Sequence, residues 1–217
     1  MLFCGIRRVR FFFHINLSLK TLFFKVKNNK SYNFNQLQIL CPQKTTFCGV
    51  DYLNHQIQLI INQNRQSIKW KDKSFFQNDK VIQTINDYER NVFNGDIGFI
   101  KSFSLPNNQL IVEINGIEVI YEKSQIYELD LAYAISIHKF QGSECKAVIM
   151  PISPKFIKMM TPKLLYTGKP RAKELLILNG DLNIFNHCIE NNKDIDRKTL
   201  LKHFLLNKNE KKAKLNF

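Results

Sequence analysis

The sequence predicts an α/β protein in which a parallel sheet with flanking helices carries an inserted small antiparallel β-barrel. Three observations lead there. Residues 131–152 read as a helix, a polar turn and a buried strand, and residues 35–42 read as a second buried strand leading to an amphipathic helix over 50–62. Between these units, residues 79–127 break into short, nearly alternating strands at close spacing.

Length and composition set the class. The chain has 217 residues, 44% hydrophobic and 23% charged, enough for a buried core and ordinary for one or two globular domains. The net charge of +14 suggests an anionic partner, but the excess sits at the ends. Residues 1–31 hold seven Lys/Arg and no acid, residues 32–192 hold 17 against 15, and residues 193–217 hold eight against three. Basicity alone therefore does not identify a nucleic-acid groove in the central part. The five cysteines, Cys4, Cys41, Cys48, Cys145 and Cys188, form no C-x-x-C pair and no zinc-like spacing with histidine. They read as free thiols of a reducing compartment, which with the absence of a secretion signal predicts a cytoplasmic protein.

Taken in order, Arg7, Arg8 and Arg10 precede an apolar run that imitates a signal peptide. His14 and Asn16 interrupt it, Lys20 ends it, and no cleavage site follows, so neither secretion nor a membrane partner is expected. Residues 1–31 are expected to be a disordered extension, as if the reading frame opened inside a longer ancestral gene. In 35–42, Leu37, Ile39 and Cys41 alternate inward; Leu53, Ile57, Ile60 and Ile61 line the next helix. Four strands are expected at 80–85, 97–104, 109–115 and 117–123. Asn94-Gly95-Asp96, Pro106-Asn107-Asn108 and Asn115-Gly116 separate them, the last a strong hairpin signal because a type I′ turn needs positive φ at both central residues.

In 131–152, Leu131, Ala134, Ile135 and His138 fall at helical spacing behind Asp130 as N-cap, and Gly142 is placed as a terminator. The strand at 147–152 follows, covered on both faces. Further on, Thr161 is an N-cap with Pro162 at the first helical position, 175–178 is an apolar strand, 182–190 a helix and 191–217 a basic tail.

Ser136-Ile137-His138-Lys139-Phe140-Gln141-Gly142-Ser143-Glu144 resembles the fifth helicase motif of RecD-type superfamily 1 DNA helicases, [ST]-[IV]-H-K-[SA]-Q-G-S-E, with Phe140 adding bulk beside the supposed interface. The resemblance extends over 32–181. Leu40-Cys41-Pro42, Gly49 and Leu53-Asn54 match a strand, loop and helix of that family. Asn78-Asp79-Lys80-Val81 resembles its G-D-[KR]-V, with Asn for Gly, and Phe93-Asn94-Gly95-Asp96-Ile97-Gly98 matches F-N-G-D-x-G intact. Leu165-Tyr166-Thr167-Gly168-Lys169-Pro170-Arg171-Ala172-Lys173 is similar to the sixth motif, L-Y-T-A-[IV]-T-R-A-[KR], with its three central residues changed.

The resemblance implies a RecA-like second helicase lobe, residues 32–75 and 128–190, with an SH3-like barrel at 76–127. It implies that Ser136, His138, Lys139 and Thr167 face single-stranded DNA, that Gln141, Gly142, Ser143 and Glu144 couple to ATP, and that Arg171 stabilises the transferring γ-phosphate. From the residues alone, His138 reads more readily as a satisfied half-buried histidine, and Arg171 equally as a solvated helix-end cation. Pro170 should end the helix near Lys169 and move Arg171. Because the sequence contains no G-x-x-x-x-G-K-[ST] (Walker A), ATP and Mg²⁺ are expected only with a complementary first lobe on a separate polypeptide. The expected activity is the C-terminal portion of a 5′ to 3′ DNA helicase of recombination and repair. The alternatives are a non-catalytic single-stranded nucleic-acid-binding module and half of a Pif1-like helicase.

Overall fold

The computed structural model describes residues 10–14, 34–62, 67–70, 73–104 and 109–190. Its first layer is a five-stranded, all-parallel sheet. The strands are β1 (Arg10–His14), β2 (Leu37–Cys41), β10 (Ala134–Ser136), β11 (Cys145–Ile152) and β12 (Ala172–Gly180), in the order β1-β12-β11-β2-β10. Every residue of β2 is buried, not alternate ones, and β11 is buried at all positions but Lys146. A central parallel strand has no solvent face, so an apolar run without alternation is what it requires.

The two faces carry separate cores. Helix α1 (Val50–Ile61) lays Leu53 and Ile57 over Ile39, Ala134 and Ile149. On the other face, helix α2 (Pro162–Gly168) and helix α3 (Leu182–Glu190) bring Leu164, Ile184 and Cys188 against Val148, Met150 and Leu176. Thr161 caps α2, its hydroxyl accepting from Leu164 N at 3.3 Å, with Pro162 at the first turn as expected.

The insertion begins after α1 with a hairpin, β3 (Ser67–Trp70) and β4 (Lys73–Phe76), and continues as a five-stranded antiparallel sheet. Its strands are β5 (Lys80–Gln83), β6 (Ile97–Ser104), β7 (Gln109–Ile114), β8 (Ile117–Glu122) and β9 (Leu129–Leu131), in the order β8-β7-β6-β5-β9. Val81, Ile100, Leu110, Val112, Tyr121 and Leu129 fill it. Asn115 (φ 53°) and Gly116 (φ 81°) form the β7–β8 turn, both in the positive-φ region. Asn94-Gly95-Asp96 shapes its own turn: Asp96 accepts from Phe93 N at 2.8 Å, and Gly95 N donates to Gln83 O at 2.9 Å.

Three expectations are corrected. The helix predicted behind Asp130 does not form: β9 runs through Leu131 in the barrel sheet, and Ala134–Ser136 is a strand of the parallel sheet. Ala132, Tyr133, Ala134, Ile135 and Ile137 are all buried, and a continuous apolar run satisfies helical spacing as readily as it satisfies a strand closed on both faces. Phe140 does not stand beside an interface; it is 3% exposed and packs in the core with Ile137 and Met150. Within 1–31, expected to be disordered, Arg10–His14 pairs in parallel with Leu175–Asn179, because an open parallel edge accepts any extended segment. The rest of that extension, the turn at 106–108 and the tail at 191–217 lie outside the described residues.

The lobe and the insertion meet at Asp79 and Lys80, two fully buried charged residues. Asp79 accepts from Gln58 Nε2 and Asn62 Nδ2 of α1 and its C-cap, each at 2.6 Å, from Tyr133 Oη at 2.6 Å and from Phe76 N at 2.9 Å. Burial pushes its pKa up, against the pull of these donors. Lys80 Nζ donates to Leu37 O at 2.9 Å, and burial lowers its pKa to about 8. Asn78, where the resembled motif has glycine, sits at φ 68°, a conformation that asparagine adopts more readily than other side chains.

Asp79→Ala removes the carboxylate on which four donors converge in the buried seam. It is expected to lower unfolding free energy by about 3 kcal/mol, read from urea titration. Lys80 gives a pH signature. Between its folded pKa of about 8 and its ordinary 10.5, the unfolded chain holds the extra proton, so stability rises with pH across that window. The stability difference between the wild type and Lys80→Met should change across pH 8 to 10.5 and be flat below it.

Candidate nucleic-acid and nucleotide interfaces

Two surfaces flank the segment 136–144. The first is a cleft of about 580 Å³ between α1, β4 and the end of β10. Lys44 and Lys139 on the lobe and Lys73 on the insertion line it, with Ser136, Asp51, His55 and Asp130. Phe75, Phe76, Ile82 and Ile135 supply apolar lining.

The lining is held by backbone capture. Asn54 of α1 donates from Nδ2 to Leu131 O and Ala134 O, both at 2.9 Å, and accepts Ala134 N at 2.7 Å on Oδ1. This fixes the crossing from barrel to parallel sheet, and so where Ser136 emerges. Ser136 Oγ accepts from Lys139 N at 3.2 Å. The Lys139 ammonium is held below the ordinary lysine range, first by burial and then by Lys44 and Lys73, against the pull of Asp130. Burial raises the Asp51 carboxyl.

The second surface lies at the far end of the same turn. Gln141, Gly142, Ser143 and Glu144 are all exposed. Gly142 adopts φ 88° with open space where a Cβ would stand, so glycine serves the backbone conformation there and not a close approach. Arg171 reaches this turn: its Nη1 donates to Ser143 O at 3.3 Å and its Nε to Thr167 O at 3.2 Å. Glu144 pairs with Lys173 at 3.1 Å, an exposed pair.

The altered sixth motif still delivers its arginine. Helix α2 ends at Gly168, and Lys169–Arg171 continue as a 3-10 turn, so the helix stops where Pro170 dictates. A Cβ at Gly168 would meet Met150 Cε at 2.7 Å. Glycine lets the helix end settle on the sheet, and the contact keeps Arg171 beside Ser143.

Of the expected site residues, Ser136 and Lys139 share the cleft, and Gln141 to Glu144 share the second surface with Arg171. His138 is exposed on the turn outside the cleft lining. The Thr167 hydroxyl donates to Lys163 O at 2.8 Å, within its own helix. Sequence reasoning did not find Lys44 and Lys73, and read Asp130 only as a helix cap. They are single residues far apart in sequence, and only the fold brings them together.

Residues 53–114 match the family model of an ATP-dependent RecD-like DNA helicase SH3 domain, and residues 131–179 that of a UvrD-like helicase C-terminal domain. Together the two matches support a RecD-type superfamily 1 helicase C-terminal region. This RecD-type region is 28% identical over 144 residues to the ATP-dependent RecD2 DNA helicase of Deinococcus radiodurans, covering 66% of this chain and 20% of that protein. It is 29% identical over 222 residues to RecBCD enzyme subunit RecD of Buchnera aphidicola subsp. Schizaphis graminum, covering 89% of this chain and 34% of that one. The chain thus spans a minor part of the length of either relative. A Pif1 helicase from Bacteroides, solved in complex with ADP-AlF3 and ssDNA, shares the fold. Its TM-score is 0.52 at 20% identity, over 73% of this chain and 44% of that one. Cys41, Cys48, Cys145 and Cys188 are free thiols, and among the described residues no helix is long and apolar enough to cross a membrane.

The positive φ of Gly142 yields a direct check. Gly142→Ala should destabilise the protein by roughly 1 kcal/mol through backbone strain alone, since the methyl group enters open space. Thermal unfolding of the variant beside the wild type measures it.

Proposed function

We propose that this chain is the second motor lobe of an ATP-dependent 5′ to 3′ DNA helicase of recombination and repair, working with a first lobe that carries the phosphate-binding loop. The observation that carries this reading is the turn 136–144. It joins Ser136 and Lys139, in a lysine-lined cleft, to Ser143, which is hydrogen-bonded to Arg171. A displacement at either end is passed through one short segment whose backbone is closed by turns, Phe140 N on Ser136 O, Gln141 N on His138 O and Ser143 N on Phe140 O.

Single-stranded DNA is the polymer that suits the cleft. Lysine ammonium groups and the Ser136 hydroxyl serve phosphate oxygens without reading sequence, and the apolar lining accepts base faces.

The second surface is the far side of an ATP site. Arg171 Nε and Nη1 are turned to carbonyls, leaving Nη2 without a hydrogen bond among the described residues, free to meet a γ-phosphate. Gln141, Gly142, Ser143 and Glu144 present the neighbouring edge. Among the described residues no cluster of three or more His, Cys, Asp or Glu is placed to hold a metal ion. In this reading ATP and Mg²⁺ bind between this lobe and the first one, which supplies the phosphate cradle and the metal ligands, on the same or a separate polypeptide. A cytoplasmic location follows from this role.

The test is ATP hydrolysis with single-stranded DNA, by the chain alone and with a RecD-type first lobe added. We expect turnover only in the mixture, and a loss of 10³-fold or more for Arg171→Ala, the range measured for arginine fingers. Because Arg171 is half-buried and bonds only carbonyls, the variant should keep its unfolding midpoint. Turnover by the chain alone would overturn the split-site reading. Strand binding with no turnover in any mixture would favour the non-catalytic binding module.

A further inference from the structure

Lys73 opens β4 on the insertion side of the cleft, and its ammonium is already occupied. Nζ donates to Asp130 Oδ1 at 2.5 Å and to Leu129 O at 3.0 Å. Both side chains remain partly open to solvent, 41% for Lys73 and 33% for Asp130. Lys44 and Lys139 face the same space from the lobe. Asp130 is thus an acid paired with a lysine in a cleft that Lys44, Lys73, Lys139 and one further acid, Asp51, also line, a poor choice for a surface that only has to attract phosphate.

We infer that Asp130 is an internal phosphate mimic that holds Lys73 in the empty cleft and yields it to a backbone phosphate of the incoming strand. This rests on the proposed binding of single-stranded DNA in the cleft. A lysine–carboxylate pair that water reaches contributes little to stability, so exchanging the carboxylate for a phosphate costs little. The displaced Asp130 then repels the strand, which lowers affinity and lets a phosphate leave Lys73 as readily as it arrives. A motor that steps along a strand needs this weak, reversible grip at the junction between lobe and insertion. Lys73 is accordingly a phosphate-binding residue, and Asp130 sets its strength.

Fluorescence anisotropy of a labelled oligothymidylate, titrated with the full chain over a series of KCl concentrations, tests this. Asp130→Asn should tighten binding about fivefold at 0.1 M salt, because Lys73 no longer has to be released, and should leave the slope of log K against log salt as it is, since Lys73 meets the same phosphate in both proteins. Lys73→Met should flatten the slope, and adding Asp130→Asn to it should produce no slope change. Glu113→Gln frees Lys101 from a matched ion pair outside the cleft and should leave binding unaltered. If the wild type binds and Asp130→Asn leaves the affinity unchanged, the exchange is wrong while the cleft reading stands. Equal tightening by Glu113→Gln would reduce the effect to net charge and overturn the inference. If neither the wild type nor Asp130→Asn binds, the cleft reading itself fails.

Discussion

The structure depends on one buried carboxylate. Asp79 has no exposed surface, and its four donors come from α1, its C-cap, the β3–β4 hairpin and the stretch that returns to the parallel sheet. Each donor belongs to a different segment, and all of them meet at the seam between two apolar cores. A buried acid with every lone pair engaged joins these segments at one point. Beside it, Lys80 reaches into the lobe and bonds Leu37 O of β2. The lobe and the insertion are thereby locked in a single orientation, and the cleft between them inherits that orientation. Phe75 and Phe76 stand opposite Asn54 and His55 because Asp79 fixes the hairpin against α1.

The second constraint is the shortness of the path from cleft to arginine. Asn54 sets where Ser136 leaves the sheet, three turn hydrogen bonds carry the chain to Ser143, and Ser143 O receives Arg171. Phe140 anchors the middle of this path in the core, which explains why a bulky residue is tolerated in place of a small one: it points away from both surfaces. The Gly168-Lys169-Pro170 replacement is similarly absorbed. It shortens the helix, and Gly168 allows contact with Met150, so the arginine is carried to the turn from a 3-10 segment in place of a continued helix.

Much of this was legible in the sequence. Parallel strands announce themselves as uninterrupted apolar runs, so β2, β11 and β12 were readable, as were α1, the Thr161-Pro162 helix start and the Asn115-Gly116 hairpin. The stretch 131–137 was misread because a segment buried on both faces has no polar side to reveal its period; leucine, alanine and isoleucine there fit either geometry. Asp79-Lys80 was visible as a motif but not as a buried junction, since burial of a charge depends on side-chain donors supplied 17 to 54 residues away. The cleft was illegible for the same reason. Lys139 stands in a recognisable run, but Lys44 and Lys73 carry no pattern in sequence, and their meaning comes from the register that the junction imposes.

Hydrogen exchange on the chain with and without an oligothymidylate tests the central claim most directly, because it reports both the cleft and the turn behind it. The account predicts slowed exchange in residues 43–59, 73–76 and 130–144, with the outer strands β7 and β8 unchanged. Protection confined to β7 and β8, or absent from 130–144 while the strand is bound, would contradict it.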